Sequence, residues 1–104
     1  MSEQPVRFGL VGFGAWGQHH AQSITRHPEA QLCAIVAPSE ASRAAAAKAH
    51  PQAKLFAHHR DMLAQTKLDL VDIVTPSHTH CEIATAALHA GCHVLLEKPM
   101  ALNN

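Results

Sequence analysis

The chain of 104 residues has no tyrosine, one tryptophan and three phenylalanines, so its core must be built almost wholly from aliphatic side chains. An excess of one charge is also missing, because eight lysines and arginines are balanced by eight aspartates and glutamates. That balance leaves no electrostatic footprint for nucleic acid or for an anionic membrane surface. No run approaches the roughly 20 apolar residues that cross a bilayer, and Met1 to Arg7 lacks the basic stretch and apolar run of an export signal. A cytoplasmic protein with neither a membrane nor a nucleic-acid partner is expected. Cysteine is scarce and odd in number: Cys33, Cys81 and Cys92 have no paired spacing, which argues against a disulfide framework. Each lies in an apolar stretch that suits a reduced, buried thiol.

Histidine is plentiful instead. Ten are present, and the doublets His19-His20 and His58-His59, with His78-Thr79-His80-Cys81, invite a metal reading. A structural zinc site draws four ligands from two paired clusters, whereas these pairs fall in different predicted elements without a matching second half. No metal site is assigned. With 47% hydrophobic residues, residues 1–104 can bury the core of one small domain.

Val6 to Val11 reads as a strand that runs into Gly12-Phe13-Gly14-Ala15-Trp16-Gly17, with a helix over Gln18 to Arg26 ended by Pro28. Leu32 to Ala37 is continuously apolar, as befits a strand covered on both faces. Ser39 is an N-cap for the alanine-rich helix Glu40 to Ala49. Lys54 to Ala57 is a short strand and His59 to Gln65 a short helix. Leu70 to Thr75 is a strand, His80 to Ala90 a helix with Ala84, Ala87 and Leu88 near one face, and Gly91 its C′ residue. Cys92 to Leu96 is the last strand. Five strands alternating with four helices specify an α/β domain with a mostly parallel sheet.

The glycine spacing carries the first chemistry. Directly between strand and helix, Gly12 allows a tight turn, Gly14 lets the backbone approach a pyrophosphate, and Gly17 permits close helix packing. Unsatisfied N–H groups at the helix start then hold the phosphates. Nicotinamide dinucleotide sites that prefer NAD place an acidic residue about 20 positions beyond these glycines, on the adenosine ribose. Ala37 stands there, so nothing repels a 2′-phosphate. Ser39 can donate its hydroxyl and Arg43 a charge-assisted contact, which favours NADP over NAD; the alternative is a cap and a solvated cation. Thr75-Pro76-Ser77-His78-Thr79-His80 and Glu97-Lys98-Pro99 follow later strands, at the carboxyl ends where open α/β sheets bind ligands.

Together these residues resemble the Gfo/Idh/MocA oxidoreductases, the family of glucose-fructose oxidoreductase and inositol dehydrogenase. Val11 to Gly17 is similar to its cofactor turn, His20-Ala21 to a pair in its first helix, Asp72-Ile73-Val74-Thr75-Pro76 with His80 to its second signature, and Glu97-Lys98-Pro99 to its most characteristic tripeptide. The resemblance implies a doubly wound, Rossmann-like sheet truncated after about five strands, and an absent substrate-binding α/β domain. It implies that Gly12, Phe13, Gly14, Ala15, Trp16 and Gly17 surround the pyrophosphate. Thr75, Pro76 and His80 would line the nicotinamide side, and Glu97 and Lys98 would face the reacting centre, with Lys98 catalytic. The activity implied is NAD(P)-dependent oxidation at CH–OH groups of sugars, cyclitols or related polyols by a homo-oligomeric enzyme, the 104-residue chain alone being inactive. A dinucleotide-binding module without turnover is the alternative.

Overall fold

A computed structural model describes residues 4–75 and 79–96. In chain order the elements are β1 (Val6–Val11), α1 (Ala15–Arg26), β2 (Ala30–Val36), α2 (Glu40–Ala49), β3 (Lys54–Phe56), α3 (His59–Gln65), β4 (Leu70–Ile73), α4 (His80–His89) and β5 (His93–Leu96). The five strands form one parallel sheet in the order β3-β2-β1-β4-β5. This is the α/β, Rossmann-like arrangement expected from the alternation of elements.

Parallel strands need crossovers, and each crossover lays a helix on a face of the sheet. On one face α1 and α2 close over Leu10, Leu32 and Ile35, with Phe13, Ala21, Ile24 and Ala46 filling the layer. On the other, α3 and α4 bring Met62, Ile83 and Ala87 onto Val11, Val36, Val71 and Ile73. β2 lies between these layers, and Leu32 to Val36 are buried without alternation, as a strand covered on both sides requires. Among the described residues no helix is long and apolar enough to cross a membrane.

Several details differ from the sequence reading. α1 starts at Ala15 rather than Gln18 because the glycine turn itself launches the helix, with Gly14 as N-cap. β2 begins at Ala30, drawn in by pairing with Val6, and ends at Val36. β4 ends at Ile73, where the chain leaves the sheet for the loop before α4. β3 ends at Phe56, α4 at His89, and β5 begins at His93. Ile83 and Ala87 are the buried residues of α4, whereas Leu88, one position round the helix, is 61% exposed. Cys33 and Cys92 are buried but Cys81, on the outer side of the first turn of α4, is exposed. Burial pushes the thiols of Cys33 and Cys92 above their ordinary range, so both stay protonated and inert. Gly91 ends α4 at φ 88°, the left-handed conformation expected of a C′ residue.

Candidate functional site

The sheet order reverses between β1 and β4: from β1 the chain winds outward through β2 and β3, then crosses to β4 and winds the other way. The loop after β1 therefore leaves toward one face and the loop after β4 toward the other. A crevice opens between them at the carboxyl ends of the strands.

The glycine turn sits at that point, and its three glycines answer to three different neighbours. Gly12 has φ 110°, and a Cβ on it would stand 2.6 Å from the carbonyl oxygen of Val74. A Cβ on Gly17 would lie 2.2 Å from the carbonyl oxygen of Gly12, so the first turn of α1 rests directly on the backbone of the turn before it. A Cβ on Gly14 would meet nothing within 4 Å among the described residues. None of them makes steric use of that glycine, which leaves open space where a ligand's phosphates would approach the backbone. The helix behind it is prepared for an anion: its N-cap makes no side-chain hydrogen bond, and its first turn holds no acidic residue. The N–H groups of the first turn thus remain for a ligand. On this geometry the residues present fit a dinucleotide pyrophosphate.

The side chains of the turn divide. Phe13 is buried in the core, edge-on to the His50 ring at 6.0 Å, which leaves only its backbone to face a ligand. Ala15 is exposed, and Trp16, 54% exposed, tilts against the His19 ring at 5.7 Å.

At the end of β2 the expected ribose corner is occupied by a cation. Arg43 reaches back from α2, and its Nη1 donates to the carbonyl oxygens of Ala37 at 2.8 Å and Pro38 at 3.0 Å. Its guanidinium is thus held beside the position where an acidic residue is missing. Ser39 caps α2 by accepting from the Ser42 N–H at 3.0 Å, and its hydroxyl hydrogen is left for another acceptor.

On the β4 side, Thr75 Oγ1 and Thr79 Oγ1 lie 2.7 Å apart, and His80 Nε2 donates to the Thr75 carbonyl oxygen at 2.7 Å. A carbonyl accepts only, so His80 carries a proton on Nε2, and the bond ties the first residue of α4 to Thr75. A cleft of about 230 Å3 joins these parts, lined by Gly12, Pro38, His58, His59, Thr75 and Thr79 over an apolar floor that includes Val11 and Ile83. Pro76, Glu97 and Lys98 lie outside the described residues.

Two features escaped the sequence reading. His58 and His59, noted only as a doublet, enter the cleft as stacked rings 4.5 Å apart. Asp72 is buried in β4 and accepts from His20 Nδ1 of α1 at 2.5 Å. A carboxylate in an otherwise apolar strand was the visible signal for this second feature. Among the described residues no three His, Cys, Asp or Glu side chains converge as a metal ion would need.

A doubly wound sheet with a phosphate-accepting glycine turn at its switch point defines an NAD(P)-binding Rossmann domain. Residues 6–104 match the family described as "Oxidoreductase family, NAD-binding Rossmann fold", and the chain belongs to this Gfo/Idh/MocA family. It is 38% identical over 96 residues to inositol 2-dehydrogenase of Corynebacterium glutamicum (strain R), a match that takes in 91% of this chain but 28% of that protein. Among solved structures it is similar to the WlbA dehydrogenase of Bordetella pertussis in complex with NADH and UDP-GlcNAcA, with TM-score 0.87 and 38% identity over 96% of this chain and 31% of that one. Biliverdin reductase of Synechocystis sp. PCC 6803, in complex with biliverdin and NADP+, gives TM-score 0.84 and 36% identity over 96% of this chain and 31% of that chain. The chain thus spans about three-tenths of the length of the relatives it matches.

Proposed function

We propose that residues 1–104 serve as the NAD(P)-binding domain of an oxidoreductase acting on CH–OH groups of sugars, cyclitols or related polyols. The open space at Gly14 carries this reading, because it is the one glycine of the turn that no described residue crowds. In the proposed arrangement Gly12 to Gly17 hold the pyrophosphate through backbone N–H groups, and Ser39 and Arg43 hold the adenosine ribose. The adenine enters the apolar cleft beside Pro38, and Thr75, Pro76 and His80 bound the nicotinamide side. A nicotinamide bound there takes up or delivers a hydride. Glu97 and Lys98, by their resemblance to the family tripeptide, face the reacting centre, where Lys98 moves the proton of the substrate oxygen.

NADP(H) is the favoured cofactor. The tethered Arg43 guanidinium and the absence of a carboxylate at Ala37 support this, since a fixed cation attracts a 2′-phosphate and a carboxylate would repel it. Calorimetric titration with NADPH and NADH tests both levels of the proposal. Arg43→Ala is expected to weaken NADPH binding about tenfold or more, by loss of a charge-assisted contact to the 2′-phosphate, and to leave NADH binding little changed. Unchanged NADPH affinity in that variant refutes the NADP preference, and failure of the unaltered chain to bind either dinucleotide refutes the cofactor reading. Turnover of polyols is expected to need the substrate-binding domain as well, because orienting the reacting carbon accounts for about 7 to 11 kcal/mol of barrier lowering.

A further inference from the structure

The cleft between the ends of β2 and β4 is almost entirely apolar, and its polar side chains are nearly all committed. His58 Nδ1 accepts from the Arg60 N–H at 3.2 Å. The hydroxyls of Thr75 and Thr79 bond one another. His59 differs: it is only 6% exposed, and its Nε2 is buried with no hydrogen-bond partner among the described residues. Burial, and then the neighbouring His58, hold its imidazole below the ordinary histidine range, so the ring is neutral at pH 7 and its Nε2 carries either a proton or a lone pair.

A buried polar nitrogen without a partner is costly to the fold, and such a group in a native cleft calls for a ligand or an ordered water. A purine edge supplies what is missing, since adenine presents ring-nitrogen acceptors and an exocyclic amino donor in one plane, and either imidazole tautomer finds a match. A flat heteroaromatic ring also suits the apolar walls.

We propose that His59 binds the base edge of the dinucleotide's adenine, pairing its Nε2 with a ring nitrogen or the amino group. This rests on the cofactor reading above. Less than 1 Å2 of Nε2 is exposed, so the ring turns about its Cβ–Cγ bond as the base enters, and the stacked His58 ring moves with it. His59 is thereby an affinity determinant for the adenosine half alone.

The test uses the whole chain and two probes, ADP-ribose, which keeps the adenine, and reduced nicotinamide mononucleotide, which lacks it. In 15N-labelled protein the side-chain Nε2 resonance of His59, assigned by its loss in His59→Gln, is expected to shift on saturation with ADP-ribose and to stay in place with the mononucleotide. His59→Phe, which keeps the ring shape, is expected to weaken ADP-ribose binding roughly three- to tenfold, as loss of one neutral hydrogen bond does, with mononucleotide binding unchanged. His59→Gln is expected to recover part of that loss. A His59 resonance unmoved by ADP-ribose, or equal ADP-ribose affinity in a folded His59→Phe, overturns the proposal while leaving the cofactor reading intact. If His59→Phe does not fold, the resonance in the unaltered chain decides. A chain that binds neither NADPH, NADH nor ADP-ribose removes the cofactor reading and this proposal together.

Discussion

Gly14 and Gly17 stand three residues apart in one turn, yet the structure separates their duties. Alanine at Gly17 forces a methyl to 2.2 Å from a backbone oxygen that cannot give way, and is expected to cost about 3 kcal/mol or more of stability. Alanine at Gly14 meets nothing and is expected to leave thermal stability within about 1 kcal/mol. It should nonetheless weaken dinucleotide binding about tenfold or more, by blocking the backbone approach to the phosphates. Paired melting curves and NADPH titrations check the contrast; equal loss of stability in both variants would show Gly14 to be structural. Histidines supply a second residue-scale effect. Burial lowers the pKa of His50 and of His59 from the ordinary value of 6.5, so the unfolded chain takes up protons more readily than the folded one. Their contribution to stability is present above about pH 6.5 and is lost as pH falls from there through the lower folded-state values. The melting temperature is expected to drop between pH 7.5 and 5.5, and less steeply in His50→Gln. The glycines were legible because their spacing sits between a strand and a helix. His59 was not, since nothing in a doublet says which imidazole is buried.

Between elements, the pair linking α1 to β4 is the contact with most at stake. Asp72 lies in β4 opposite Leu10 of β1 and Leu95 of β5, with His20 set over it from the helix. Removing His20 takes a hydrogen-bond partner from the buried Asp72 carboxylate, so His20→Ala is expected to cost about 1–3 kcal/mol in urea unfolding, whereas leucine at both positions recovers much of that loss. A single variant as stable as the double would show that the pair does little. Element order and the doubly wound sheet were readable from the alternation of apolar runs and turn residues. The ends of elements were not, because pairing partners set them: Val6 extends β2 back to Ala30. Leu88 was misjudged for a related reason. Glu82, Thr85 and His89 mark the outer side of α4 and are exposed, but Leu88 lies at the border between that stripe and the buried Ile83 and Ala87, where its apolar character pointed inward. Arg43 was half readable: its distance from Ala37 showed that it could reach the ribose corner, but not that two carbonyls tether it there.

Across the whole molecule, β5 closes one side of the described sheet, and its leucines face away from cover. Leu95 is 45% and Leu96 48% exposed on alternate sides of a strand that pairs only with β4 among the described elements. Such an edge invites a second strand. The 104-residue chain is expected to self-associate with rising concentration in light scattering, and Leu96→Lys to shift it toward monomer; a concentration-independent monomer would contradict this. Family membership was legible from three motifs in order, while substrate choice has no signal within these residues, since the relatives that share the fold include an inositol 2-dehydrogenase, a dehydrogenase in complex with UDP-GlcNAcA and a biliverdin reductase. The sole tryptophan of the chain sits half out of the surface on the first turn of α1, beside the glycine gap. The protein therefore carries its own optical gauge. With the coenzyme bound as proposed, ultraviolet light absorbed by that indole is expected to pass by resonance to its dihydronicotinamide, so that the blue emission of the coenzyme reports occupancy without a dye. The same indole is a poor witness of unfolding, because water already bathes it in the native state.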